Sequence, residues 1–384
     1  MNVQFIAFFG IILIVYSMGN YYVGLRGWQA FHALPAFPGG RFYSLLFFLI
    51  SFSYIFERIL GNYLPNFITN ALSLVGGTWL AILYYLVLFC AFIDLIRFAD
   101  RRLSFVPETW RQAPAVAGGI VVAMVTVIIA FGVWNATNTV WRHYDISIDK
   151  SAGDLRELHI ILVTDIHLGK VIKNGRLEKL VDEINARRPD LVLLAGDVID
   201  EDVGPFVNQG MAATFRRLKS RFGVFAVLGN HEYIGGQTDV AVELLRSSGI
   251  MVLRDSVFNV GDQFVLAGRD DWDRVRFMNS PRKPLSEFLE GVDRTKPLLM
   301  MDHQPRSMEE AAAAGVDLMM SGHTHRGQLF PNQWVTRSLY ETDWGYMRKG
   351  AMNVIVSAGF GTWGPPVRTS AASEIVEIKV TFRP

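Results

Sequence analysis

His159-Ile160-Ile161-Leu162-Val163-Thr164-Asp165-Ile166-His167 is the stretch on which the fold turns. An aliphatic, β-branched run ends in polar residues, and the pattern recurs four times along the chain. Leu191 to Ala195 runs into Gly196-Asp197, and Val224 to Leu228 into Gly229-Asn230-His231-Glu232. Pro297 to Met301 runs into Asp302-His303, and Leu318 to Ser321 into Gly322-His323-Thr324-His325. Such runs read as strands, so the polar side chains arrive at strand ends, where neighbouring loops converge. Between the first three lie helical patterns: Arg176 to Arg188, with Leu177, Leu180, Val181 and Ile184 on one face, and a helix near Met211 to Ser220. This alternation predicts βαβ units. A helix through Val240 to Arg246 follows, with strands near Met251 to Leu253, Gln263 to Ala267, Asn353 to Ser357 and Glu374 to Val380. The expected product is a layered α/β sandwich with two sheets. It begins at about Tyr144, where Tyr-Asp-Ile-Ser-Ile-Asp alternates as a half-exposed strand after a polar linker, Asn135 to Asn138.

Five of the eight histidines fall inside the five clusters, at 167, 231, 303, 323 and 325. Their company of carboxylates and an amide oxygen suits a pair of divalent transition ions. Calcium prefers an all-oxygen shell and structural zinc favours thiolates, and the only cysteine, Cys90, sits in an apolar run far from the clusters. Asp165 and His167, one residue apart at a strand end, can aim the same way and share an ion. Asp197 can offer one oxygen to each of two ions, and Asn230 is a neutral oxygen donor. Two ions about 3.5 to 4 Å apart lower the pKa of a bridging water and clamp phosphoryl oxygens, which makes phosphoester hydrolysis the expected reaction.

The ordered set Asp-x-His, Gly-Asp, Gly-Asn-His-Glu, a lone His and Gly-His-x-His closely resembles the calcineurin-like metallophosphoesterase family, from about Tyr144 to the C-terminus. Gly327-Gln328 and the run from Gly359 to Arg368 make it most similar to a bacterial branch with membrane-anchored N-termini. The resemblance implies an α/β/β/α sandwich and two divalent ions, with Mn, Fe and Zn all acceptable to these donors. One ion would be held by Asp165, His167 and His325, the other by Asn230, His303 and His323, with Asp197 between them. His231 would contact the substrate phosphate and protonate the leaving oxygen, with Glu232 orienting its ring. Arg326 stands where relatives of this branch commonly have glycine. Its guanidinium either grips a phosphate or pyrophosphate at the rim or points to solvent, and Arg368 is open between substrate binding and a structural salt bridge. The implied activity is metal-dependent phosphohydrolysis (phosphodiesterase or pyrophosphatase chemistry). A non-catalytic membrane receptor or scaffold is the alternative.

The chain has 384 residues, 51% of them hydrophobic, with a mean hydropathy of +0.24. Four apolar stretches account for the excess, near 5–23, 42–56, 69–93 and 115–134, and predict a transmembrane region over 1–140 ahead of a catalytic domain over 144–384. The first lacks a basic leader and runs into Tyr21, Tyr22 and Trp28, so it reads as a retained helix. The second is short and fits either a span with snorkelling Arg41 and Arg58 or a re-entrant segment. With four crossings, Arg26, Arg41, Arg97, Arg101, Arg102 and Arg111 share one side against Arg58, Arg142 and Lys150. The positive-inside bias then puts the Arg-rich loops in the cytoplasm and the catalytic domain on the outer face of a multi-pass protein of the bacterial inner membrane. Beyond Trp134 there remain 30 basic and 32 acidic residues, no footprint for nucleic acid. Phosphorylated small molecules or lipid-linked phosphoesters near the bilayer are the expected substrates.

Several features read more simply. Asp200-Glu201-Asp202 reads as a solvated loop, Asp270-Asp271 as turn chemistry, and His159 as structural. His32 and His143 read as interfacial polar residues. The aromatics Phe330, Trp334, Tyr340, Trp344, Tyr346, Phe360 and Trp363 fit either a substrate- or lipid-facing lip or core packing.

Overall fold

The computed structural model describes residues 3–383, without the side chains of residues 3–9 and 62. It divides into two compact units, 1–133 with 364–367, and 134–363 with 368–384. The first is helical: α1 (Val3–Phe31), α2 (Gly40–Ser51), α3 (Ser53–Leu60), α4 (Asn66–Leu103), the single turn α5 (Glu108–Arg111) and α6 (Pro114–Thr137). Two of these, α4 and α6, are long and apolar enough to cross a membrane. The bent pair α2–α3, with 53° between its axes, adds a third if it counts as one span. The stretch expected near 5–23 lies in α1, and its first part, up to residue 9, falls outside the described side chains. Apolar side chains point outward all along α4 and α6, among them Leu88, Phe92, Leu95, Val127 and Phe131. An apolar exterior is stable against lipid and costly against water. Inside, Trp79 Nε1 donates to Asn20 Oδ1 at 2.9 Å, so these two polar groups buried between α1 and α4 satisfy one another. The polar linker expected over 135–138 is helical through Thr137, because α6 runs on past its apolar core.

Among the described residues the second unit holds twelve strands in two six-stranded sheets. The first combines β1 (Val140–Ile148), β2 (Glu157–Val163), β3 (Leu191–Ala195), β4 (Val224–Val227), β5 (Met251–Val252) and β12 (Glu374–Phe382) in the order β1-β12-β2-β3-β4-β5. The helix α7 (Asn174–Arg187) connects β2 to β3. The second sheet runs β10-β11-β9-β8-β7-β6, from β6 (Ser256–Val260), β7 (Phe264–Gly268), β8 (Leu298–Met301), β9 (Leu318–Ser321), β10 (Gly345–Lys349) and β11 (Met352–Val356). Strands β2 to β5 are mutually parallel, as are β7, β8, β9 and β11.

Alternation along β2 shows why the layers form. Leu158, Ile160 and Leu162 face a core shared with Leu299, Met301, Leu318 and Met320 of the other sheet. Ile161 and Val163 face the opposite way, onto Leu177, Leu180, Val181 and Ile184 of α7. A third core lies behind the second sheet, where Val265, Leu298 and Met319 meet Leu285, Phe288, Met308 and Ala311. Helix, sheet, sheet and helix are therefore stacked around three apolar layers, each removing side chains from water at roughly 1.5–3 kcal/mol apiece. Because these central strands are covered on both faces, their sequences are unbroken apolar runs. Ligands of such sheets gather beyond the carboxyl ends of the parallel strands, where all five polar clusters emerge.

Candidate metal centre

The turns that follow the strands carry unusual backbone. Asp165, His167, Asp197, His323 and His325 all have positive φ, between 47° and 70°. For residues with a Cβ this region is sparsely populated and costs on the order of 1–3 kcal/mol each. Glycines make room for the side chains to meet. A Cβ on Gly196, itself at φ 87°, would stand 2.4 Å from His303 Nδ1, and one on Gly322 would stand 2.2 Å from Asp165 Oδ2.

The seven expected ligands come together. Asp165, His167 and His325 place donor atoms within 4.8 Å of one another, and so do Asp197, His303 and His323. In the first group His325 Nε2 lies 3.4 Å from Asp165 Oδ1 and 3.1 Å from His167 Nε2. In the second, Asn230 Oδ1 lies 2.8 Å from His323 Nδ1 and 3.2 Å from His303 Nε2. The Oδ2 atom of Asp197 sits between the groups, 3.2 Å from His303 Nε2 and 3.8 Å from His167 Nε2. All are buried except His323, which is half-buried. The His303 ring is fixed by Nδ1 against Ala195 O at 2.8 Å, which turns Nε2 toward the cluster.

The donor set fits divalent ions. Burial pushes the Asp165 carboxyl above its ordinary range, and burial, with His303 beside it, pulls His323 down to about 3. His325 is held well below its usual value by burial and by His167. His323 and His325 are thereby held in the neutral form that offers a lone pair to an ion, and the buried Nδ1 of His325 has no hydrogen-bond partner. Burial also works against the Asp197 carboxylate, but His303 and His231 outweigh it and keep it ionised.

Beside the cluster stands His231, its ring centroid 4.5 Å from that of His167. Its Nδ1 lies 2.9 Å from Asp200 Oδ1, which is also 3.5 Å from His167 Nδ1. Burial disfavours the imidazolium, yet Asp197 and Asp200 lift His231 to about 9. Asp200 was expected in a solvated loop and instead holds two of the site's imidazoles. Glu232, expected on the His231 ring, instead accepts backbone N–H groups of Gly229 at 2.8 Å, Ile199 at 2.9 Å and Asp197 at 3.2 Å. It ties together the two loops that carry Asp197 and Asn230.

The two arginines fare differently. Arg326 is half-buried, its guanidinium 4.1 Å from the Trp344 ring centroid and Nη1 donating to Ser370 O at 3.3 Å. Its backbone is left-handed (φ 49°, ψ 39°), the conformation for which glycine is favoured. Arg368, which the sequence leaves open between substrate binding and a structural salt bridge, is wholly buried. It donates to the carbonyls of Ala358, of Gly359 at 3.1 Å, of Gly361 at 2.5 Å and of Ala371 at 3.3 Å. Its place is beneath the site. His159 pairs with Glu377 at 2.7 Å, and Asp270 joins Arg254, Arg274 and Tyr233 in a buried network. Among the aromatics, Phe360 is core, while Trp363 is exposed beside His231 and Tyr340 lies edge-on to His323 at 6.1 Å.

Comparison with known proteins gives the same picture. Residues 158–327 match the family model described as calcineurin-like phosphoesterase. An uncharacterized metallophosphoesterase of Aquifex aeolicus is 35% identical over 227 residues, 58% of this chain and 85% of the relative. A transmembrane protein with metallophosphoesterase domain from Danio rerio is 28% identical over 398 residues, covering 98% of this chain and 89% of its own. An uncharacterized metallophosphoesterase of Campylobacter jejuni is 26% identical over 388 residues, 97% of each chain.

Proposed function

The chain belongs to the calcineurin-like phosphoesterase family and is a metal-dependent phosphoesterase; from that premise we propose a membrane-anchored hydrolase that uses two divalent ions to cleave phosphoester or pyrophosphate bonds of lipid-linked or nucleotide-lipid substrates. The observation that carries the proposal is the convergence of seven donors into two adjoining groups with Asp197 Oδ2 between them. Asp165, His167 and His325 would hold one ion and Asn230, His303 and His323 the other, with Asp197 reaching both. When bound, a pair of Mn, Fe or Zn ions supplies Lewis acidity toward phosphoryl oxygens and a water acidic enough to attack at neutral pH. The protein's own part is orientation. Asp200 fixes Nδ1 of His231, leaving Nε2 to give a proton to the departing oxygen, and Glu232 holds the Asp197 and Asn230 loops in register.

Lipid-linked substrates are favoured by the apolar helices α4 and α6, because tethering raises the effective concentration of the site for amphiphiles. Counting α2–α3 as one crossing beside α1 gives four, and the arginine asymmetry then puts the catalytic unit on the outer face of a bacterial inner membrane. Protease added to intact spheroplasts should remove that unit, and protection would reverse the orientation. The activity itself is tested with bis-p-nitrophenyl phosphate and Mn²⁺. Turnover should vanish on chelation and return with metal, and Asp197→Asn and His231→Ala should each lower kcat by at least about 100-fold. Folded protein with no metal-dependent turnover would leave a ligand-binding receptor or scaffold as the better account.

A further inference from the structure

The helical unit contains two cavities that share a wall. One, of about 230 Å³, lies among α1, α2, α4 and α6 and is lined by Arg26, Cys90, Asp94 and Arg97 together with apolar side chains. The other, of about 630 Å³, lies along α4, α6 and the α5 turn and is lined by Phe92, Trp110, Met124 and other apolar groups beside Arg97, Asp100, Arg101 and Arg111. Arg97, Ile93, Ala117 and Val121 face both.

The charges on these walls do not cancel. Asp94 is already engaged by Arg26 Nη2 at 2.5 Å and by the Tyr22 hydroxyl at 2.6 Å, and Arg97 reaches it only at 3.6 Å. Asp100 accepts from Arg111, at 2.9 Å to Nε, and from the Val106 N–H at 2.8 Å. Arg101 has no ion pair among the described residues. Arg97 and Arg101 are four residues apart, on one face of the last turns of α4, where its apolar span gives way to polar sequence. That is the depth of lipid head groups. Arg97, Arg101 and Arg102 are all exposed, but Arg97 also lines both cavities and Arg101 the larger one, whereas Arg102 lines neither.

We infer that this end of the helical unit binds one two-chain anionic phospholipid, its phosphate on the open donors of Arg97 and Arg101 and one acyl chain in each cavity. A guanidinium fork matches phosphate oxygens, and away from the charged residues already paired with one another the walls are mostly apolar, Val23, Phe47 and Leu86 in one cavity and Phe89, Ile96 and Ile120 in the other. A soluble phosphate would leave both cavities unfilled, and a zwitterionic lipid would bring its own cation against two arginines.

The test uses the full-length protein, delipidated in detergent, with binding read by native mass spectrometry. Phosphatidylglycerol should bind saturably with one lipid per chain and about fivefold or more tighter than phosphatidylcholine of the same chains, and lysophosphatidylglycerol should bind more weakly than the two-chain lipid. Arg97→Gln should remove the head-group preference, Arg97→Lys should keep part of it, and Ala117→Trp should weaken both lipids by filling both cavities. Arg102→Gln, which lines neither cavity, should change nothing. Equal binding of the two lipids by the unaltered protein would overturn the inference without recourse to any variant. So would displacement of phosphatidylglycerol by millimolar inorganic phosphate, which marks a site for soluble anions, or a loss with Arg102→Gln equal to that with Arg97→Gln, which marks diffuse surface charge.

Discussion

Asp200 lies 2.9 Å from His231 Nδ1 and 3.5 Å from His167 Nδ1, so it orients the ring proposed to give the proton and places its charge beside one of the proposed metal ligands. Removing it with Asp200→Ala should lower kcat by about 10–100-fold in metal-saturated steady-state assays and weaken metal affinity by a similar factor, read by titrating Mn²⁺ into the apoprotein. Asp200→Asn keeps an acceptor without the charge and should fall between. In the sequence this residue sits in Asp200-Glu201-Asp202, and an acidic run reads as a solvated face. Its only sign is its position three residues after Asp197; the fold then runs it alongside Leu168, whose carbonyl accepts from the Asp200 N–H at 3.0 Å. Glu232 hides for a different reason. Its place after His231 points to the ring, but it is the third residue of a short helix opening at Asn230, and from there a glutamate reaches back to the amide of Gly229. That these side chains gather was legible because Asp, Asn and His directly after apolar runs have few other reasons to be there. Arg368 was not, because nothing in its neighbours distinguishes a guanidinium that seeks phosphate from one that seeks carbonyls.

At the level of elements, the site depends on how the segment 358–361 supports the end of β2. Phe360 N–H donates to Thr164 O at 2.9 Å and Gly361 N–H to Asp165 O at 2.7 Å, so this loop sets the height of the first metal group. Arg368 holds the same loop from the other side, through its carbonyls. Arg368→Met therefore strands several buried acceptors. It should cost about 2–4 kcal/mol and lower the thermal midpoint of the catalytic unit by about 5–10 °C, with a fall in kcat as the Asp165 turn loosens. A residue that bound substrate would instead raise KM and leave the midpoint alone, so scanning fluorimetry and steady-state kinetics on one variant separate the two roles. The same elements show what patterning can deliver. Central strands such as β2, β3 and β9 are buried on both faces and read clearly, whereas β6 and β10 escape as edge strands with mixed side chains, and β1 starts four residues before its alternation becomes regular. Glycine spacing marked the turns, and only the fold shows which side chain each glycine admits.

For the whole molecule, the two units have separate sources of stability. Among the described residues none of the candidate metal groups draws a donor from the helical unit, whose outward apolar faces are stabilised by lipid or detergent. The catalytic unit carries five candidate ligands in left-handed backbone and an Asp165 carboxyl that burial pushes toward protonation, both of which oppose folding without a cation. A metal present at about a hundredfold over its Kd adds about 2.7 kcal/mol to the folded state of the unit that binds it and nothing to a unit that does not. Chelation of the full-length protein should therefore split its melting profile. The transition of the catalytic unit should fall by about 5–10 °C and recover with added Mn²⁺, while the helical unit's transition, followed by far-ultraviolet circular dichroism, stays in place. Loss of phosphatidylglycerol should do the reverse, lowering the helical transition alone. A single transition that moves as one under both treatments would show that the units unfold together, and the metal's stabilising effect would then extend to the helices as well as to the turns that hold it.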